Sequence, residues 1–317
     1  MIMNQQEFSS IETTIPVAPA GFKSGFIGII GRPNVGKSTL MNQLVGQKIA
    51  ITSPVAQTTR NRLQGILSTE VAQLIFVDTP GIHKPHHELG KVLVKTAETA
   101  INAVDIVLFL VDCSVPAGGG DRYIIELLKK ARTPIIIGLN KSDLQVAENE
   151  PALEASYAEI IRPNPWLMVK FSALTGTGLD NLQATLINYL EPGPYYYPPD
   201  LITDQPERFI MGELIREQIL HLTRQEVPHS VAVAIEKVEE QPALTRVFAA
   251  INVERESQKA IIIGKKGQML KAIGIESRQQ IQKLIAGEVY LELFVKVEPN
   301  WRQSRLRLSE FGYRADE

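Results

Sequence analysis

GRPNVGKS, residues 31–38, follows the apolar run FIGIIG and opens a segment read as a helix from Lys37 to Val45. Gly, Gly, Lys and Ser at this spacing, between a strand and a helix, form the P-loop pattern. The glycines Gly31 and Gly36 let successive backbone N–H groups converge on a β-phosphate, and the helix N-terminus adds partial positive charge. Lys37 brings a point charge to the β/γ-phosphates, and the Ser38 hydroxyl can ligate Mg²⁺. The loop residues Asn34 and Val35 and, just inside the helix, Thr39 complete the expected phosphate cradle.

On both sides of this loop the chain alternates strand-length apolar runs with helical segments. This is the sign of an α/β fold whose mostly parallel sheet carries helices on both faces. The strands are FIGIIG, LQGILS, QLIFVD, DIVLFLVD, PIIIGLN and WLMVKFS, and LQGILS pairs with QLIFVD as an antiparallel hairpin at one edge. Helices are expected over residues 37–45, 88–102, 121–131, 151–162 and 179–189. Residues 1–21, with no positive charge ahead of their apolar positions, are expected to be a flexible tail and not a signal peptide. The first domain then spans residues 22–190.

The next segment, EPGPYYYPPD at residues 191–200, holds four prolines in ten positions and reads as an extended linker. Its three tyrosines are read as pins to a domain surface in preference to a stacking platform. From residue 201 to 317 the order changes to α–β–β–α–α–β. An amphipathic helix carries Met211, Leu214, Ile215, Ile219 and Leu222 on one face, followed by SVAVAIEKVEE and ALTRVFAAINVER as strands. A short helix, the turn GKKG, a long helix from Gln268 to about Ala286 and the strand VYLELFVKVEP complete this second, α+β domain.

Composition narrows the function. The 317 residues suit two domains, and the net charge of −2 excludes a globally basic nucleic-acid binder, so any such contact needs a local patch. The one cysteine, Cys113, rules out a disulfide framework, favours a reducing compartment and reads as a core or strand-end residue. No apolar run approaches the roughly 20 residues that span a bilayer.

The other motifs sit at strand ends, where open α/β sheets place ligands. In QLIFVDTPG, Asp78 can hold Mg²⁺ through water and the Gly81 N–H can touch a γ-phosphate. In SPVAQTTRNR a threonine hydroxyl can ligate Mg²⁺ while the γ-phosphate is present, as switch loops do. Thr59, beside Arg60, is preferred, and Thr58 stays open. NKSD, Asn140 to Asp143, selects the base, because the Asp143 carboxylate can accept from both N1–H and the 2-amino group of guanine. Adenine offers neither donor and would leave Asp143 unpaired. Asn140 can tie this loop to the P-loop, and the Lys141 stem can cover the base. The run SAL, with Ser172, Ala173 and Leu174, offers a backbone N–H to the guanine O6.

In the second domain Gly264-Lys265-Lys266-Gly267 joins two helices, and a GxxG loop so placed is the KH clamp on nucleic-acid backbone. Lys259, Lys265, Lys266, Lys271, Arg278 and Lys283 face Glu276 alone between residues 259 and 283, a local cationic patch. The element order matches the bacterial, type II, KH arrangement. A helix–turn–helix corner with solvated lysines is the alternative.

GRPNVGKS, QTTR, DTPG, NKSD and SAL together resemble the translation-factor-related GTPases and, through the KH half, the Era branch; the resemblance covers nearly the whole chain. It implies a GTP-binding and GTP-hydrolysing switch that binds the 3′ end of small-subunit 16S rRNA and assists maturation of the 30S pre-ribosomal particle. It further implies a cytoplasmic protein with peripheral association at the inner face of the cell membrane, expected as a monomer. The segment WRQSRLRLSEFGY resembles the closing helix of these proteins, although Trp301 and its arginines also suit surface packing. Where Ras-type enzymes carry a water-orienting Gln after DxxG, this chain has Ile82, so intrinsic turnover is expected to be slow. Asn34 resembles the potassium ligand of related GTPases, and K⁺ beside Mg²⁺ and Lys37 would stabilise transition-state charge. Lys37, Thr59 and Gly81 are then the residues nearest the reacting phosphate. His83, His86 and His87 read as a solvated loop in preference to a base or metal site. A P-loop ATPase and a non-hydrolysing RNA-binding adaptor are the competing functions.

Overall fold

A computed structural model describes residues 15–53, 63–78, 101, 103–162, 164–223, 227–285 and 287–311. The first sheet contains β1 (Lys23–Gly31), β2 (Leu63–Ser68), β3 (Ala72–Asp78), β4 (Ile106–Asp112), β5 (Ile135–Asn140) and β6 (Leu167–Lys170), in the order β2-β3-β1-β4-β5-β6. Every pairing is parallel except β2 with β3, which forms the expected edge hairpin. Strand alternation divides the core in two. Leu108 and Leu110 face α1 (Lys37–Val45) and α4 (Leu179–Tyr189), whereas Phe109 and Val111 face α2 (Gly119–Leu128) and α3 (Glu150–Ile161). Both faces of β4 are therefore dry, which is why this strand reads as an unbroken apolar run. Cys113 is buried at its end, and burial pushes the thiol up to about 11.

Helix α2 departs from its expected bounds at both ends. It begins two residues before Asp121, because that carboxylate accepts the Gly118 N–H at 2.9 Å and closes the first turn from inside. It ends at Leu128, where Lys130 and Ala131 turn back to the carbonyls of Leu127 and Leu128. The helix expected over residues 88–102 lies outside the described residues apart from Ile101.

The segment after α4 crosses the N-terminal ends of β1 and β3 and then reaches the edge strand β2, with bridges at Pro192 to Lys23 and Thr203 to Gly65. The buried side chain of Gln73 imitates a strand: its Oε1 accepts the N–H groups of Tyr196 and Tyr197 at 2.8 and 3.0 Å, and its Nε2 donates to Tyr197 O at 2.9 Å. Tyr195 packs at a tilt against Phe22 and Tyr196 against Phe26, with centroids 4.3 and 5.1 Å apart. The tyrosines thus pin the linker.

The second domain holds a three-stranded sheet, β7 (Ala232–Gln241), β8 (Leu244–Val253) and β9 (Glu288–Val297), with β8 central, antiparallel to β7 and parallel to β9. Helices α5 (Glu207–Leu222), α6 (Glu256–Ile263) and α7 (Gln268–Leu284) supply its core through Ile215, Ile262, Ile273 and Ile281. The short helix α8 (Arg305–Glu310) follows Trp301, which is buried and donates its indole N–H to Ser230 O at 3.1 Å. That tryptophan is an anchor and not a surface platform. No described helix is long and apolar enough to cross a membrane.

Candidate functional site

The P-loop conformation follows from its glycines. Gly36 sits at φ 99°, and a Cβ there would stand 2.4 Å from Asn140 Nδ2, so both backbone and neighbour require glycine. A Cβ on Gly31 would come within 2.4 Å of Leu110 O. Asn34, also left-handed at φ 64°, turns the chain between them. Lys37 is the first residue of α1 and is buried. Its Nζ donates to Arg32 O at 3.1 Å and to Gly31 O at 3.3 Å, folded back over the loop where a phosphate would lie. Burial lowers its pKa from the usual lysine range, opposed by the carboxylate of Asp78. Val35 is buried, and Thr39, half-buried, is on the first turn of α1.

Ser38 Oγ lies 3.2 Å from Asp78 Oδ2, at the buried end of β3. Two hard oxygen donors at the helix start and strand end suit Mg²⁺, which takes carboxylate and hydroxyl oxygens and keeps several waters. Thr58, Thr59, Gly81, Ile82, His83, His86 and His87 lie outside the described residues.

Asn140 is the hub of the base side. It is 2% exposed, donates Nδ2 to Val35 O at 2.8 Å and accepts the Ala173 N–H at 2.8 Å. One amide side chain thereby fixes the P-loop, NKSD and SAL to each other. Asp143 is exposed, and Ser172 Oγ donates to its Oδ1 at 2.5 Å, leaving the carboxylate aimed by a buried hydroxyl. Two of the three SAL amides are committed within the chain: Ser172 N–H to Thr177 O and Ala173 N–H to Asn140. Leu174, 73% exposed, follows them.

Two further contacts were not deducible from the motifs. Lys141, at φ 68°, pairs its Nζ with Asp112 Oδ2 at 2.6 Å, so its side chain is tethered to the end of β4. Burial alone would raise the Asp112 pKa, but hydrogen bonds from Lys141 and Ser114 outweigh it and hold the carboxyl below the usual range. Arg32 pairs with buried Asp121 at 2.7 Å and ties the P-loop to α2. Asp112 ends the strand DIVLFLVD, a signal that was present; nothing in the sequence links residues 32 and 121.

In the second domain the turn between α6 and α7 carries Gly264 at φ 69°, Lys266 at φ 52° and Gly267 at φ 76°. A Cβ on Gly264 would meet Met269 Cβ at 2.6 Å. Lys265, Lys266, Lys271, Arg278 and Lys283 are exposed and Lys259 half-buried; among the described residues none of the six makes an ion pair. Cations left without acidic partners are suited to phosphates.

Residues 26–141 match the family described as 50S ribosome-binding GTPase, and residues 226–302 match the KH domain. Together with the geometry this defines the class: a P-loop GTPase carrying a C-terminal KH domain. A GTPase Era of Rippkaea orientalis is 74% identical over 314 residues, 99% of this chain and 98% of that relative. The chain belongs to the Era family of GTPases and hydrolyses GTP. A GTPase Era of Synechocystis sp. is 69% identical over 304 residues, covering 96% of each. Among solved structures, Era in complex with MgGDPNP and nucleotides 1506–1542 of 16S ribosomal RNA matches with a TM-score of 0.85 and 40% identity, over 93% of this chain and 100% of that one. A variant of Aquifex aeolicus Era bound to GDP·AlF₄⁻ matches with a TM-score of 0.86 and the same identity and coverage. The ATPase and adaptor alternatives fall with this membership.

Proposed function

We propose that the chain is a GTP-driven switch that holds the 3′-terminal segment of small-subunit rRNA and assists assembly of the 30S particle. The observation that carries this reading is the pairing, in one chain, of a guanine-selective loop hubbed on Asn140 with a GxxG turn whose lysines make no ion pair among the described residues. The complex of a 40% identical Era with an rRNA fragment supports it. Asp143 would accept from guanine N1–H and the 2-amino group, with Lys141 over the base. Gly31, Asn34, Val35, Gly36 and Thr39 would frame the phosphates, and Lys37 would neutralise them. Ser38 and Asp78 would hold Mg²⁺, joined by Thr59 or Thr58; the ion, when bound, offsets phosphate charge. Gly264, Lys265, Lys266 and Gly267 would clamp RNA backbone, with Lys259 and Lys271 flanking. The work would be done in the cytoplasm, on a monomer, with peripheral contact at the membrane's inner face. Titrating the full chain with an RNA of nucleotides 1506–1542 and with a scrambled RNA tests the target. Preference for the first is expected, and equal binding would sink the rRNA reading.

The proposal includes K⁺ at Asn34, on the strength of the left-handed P-loop turn that residue makes and of its resemblance to the potassium ligand of related GTPases. Hydrolysis in K⁺ is then expected to exceed that in Na⁺ by about tenfold or more, the factor that ~1.4 kcal/mol of transition-state stabilisation gives. Equal rates at matched ionic strength would remove Asn34 from this role.

A further inference from the structure

Helix α5 is buried on most of its sides, and it buries charge as well as apolar surface. Glu217, 1% exposed, stands among Leu214, Ile215 and Ile219. A carboxylate so placed persists only where donors surround it. Three of its donors come from the other domain: Lys48 Nζ at 2.5 Å from Oε2, and Thr52 N–H and Oγ1 at 2.8 and 3.2 Å from Oε1. The fourth is its neighbour Gln218, whose Nε2 lies 3.2 Å from Oε2. One turn further on, His221 Nε2 lies 3.0 Å from Thr52 O.

The contacts extend in both directions. Lys48 and Thr52 follow α1, the helix that opens at the P-loop. Asn42 on α1 fixes their segment by accepting the Ile49 and Ala50 N–H groups at 2.9 and 2.8 Å and donating to Ala50 O at 2.7 Å. On the other side α5 packs against α7, whose first residue follows the GKKG turn. A chain of packed and hydrogen-bonded groups thus joins the phosphate loop to the cationic turn, and Glu217 is its buried charged contact across the domain boundary.

We propose that Glu217 is the positioning residue that couples nucleotide state to RNA binding, through Thr52 and Lys48. The proposal rests on reading the protein as a nucleotide-dependent RNA binder. Coupling through contiguous groups needs direct energetic evidence, and a ratio of affinities supplies it. The affinity of the full chain for an RNA of nucleotides 1506–1542 is measured in the GDP and GDPNP forms, for the unaltered protein and for Glu217→Gln, Lys48→Met and the double variant. The unaltered protein is expected to show a ratio within about 5–150-fold, the usual range of coupling between sites. Each single variant should bring that ratio toward one while GDP affinity without RNA stays unchanged, and the double variant should add little. Lys48 is on the solvent side of the pair, so Lys48→Met keeps the test open if Glu217→Gln does not fold. An unchanged ratio in both single variants overturns the coupling role alone. A ratio of one in the unaltered protein overturns the switch reading with it. Parallel loss of RNA and GDP affinity makes Glu217 a structural residue and also overturns the proposal.

Discussion

Asp143→Asn is expected to lower affinity for GDP and GTP by about 10²–10⁴-fold and to raise affinity for xanthosine nucleotides. The carboxylate is exposed toward the base site and aimed by Ser172 Oγ at 2.5 Å, so it is an acceptor held ready for two donors. Guanine presents both in its N1–H and 2-amino group. An amide keeps one acceptor and turns the other position into a donor, which then meets the 2-amino group head-on. Two hydrogen bonds to a charged group, at about 1.5–3 kcal/mol each, set that range. Xanthine carries a carbonyl where guanine has the amino group, so the asparagine donor regains a partner. Competition between GDP and XDP for a fluorescent nucleotide measures the exchange. Undiminished preference for GDP in the variant would show that selection lies elsewhere, in the SAL amides or in Asn140.

How far the residues announced this arrangement depends on range. The P-loop, the strand ends and GKKG are local patterns, in which a backbone turn and a side chain within a few positions carry the chemistry, and they were legible. The Gly36 requirement was half legible. Its spacing gave the loop, but only the fold shows that Asn140 occupies the place of its absent Cβ. The partners of Lys141, Arg32 and Glu217 are 29, 89 and 165 to 169 positions away, and no periodicity encodes such pairings. The bounds of α2 failed for a smaller reason of the same kind, since Asp121 serves two structures at once. SAL read as a source of amides, and two of those are already given to the chain.

Lys265→Asp with Lys266→Asp is expected to abolish measurable RNA binding, a loss of about 100-fold or more near physiological salt, and to leave GTP affinity unchanged. Both lysines are exposed on a turn whose neighbours Gly264 and Gly267 adopt positive φ, which brings backbone and ammonium groups to one side. Neither has an acidic partner among the described residues, so the exchange breaks no ion pair and removes only charge aimed at solvent. Aspartate tolerates the left-handed conformation that Lys266 holds at φ 52°, and the turn should persist. Two lost phosphate contacts lower the slope of log affinity against log salt by about 1.4 for single-stranded RNA, and the two new carboxylates add repulsion. Salt dependence therefore separates the causes. A variant that binds weakly with the original slope has lost shape and not charge, and the GKKG turn would then be a corner between helices. A variant that loses GTP affinity in the absence of RNA as well would contradict the separation of the two sites, since no described hydrogen bond or ion pair joins the GKKG turn directly to the P-loop.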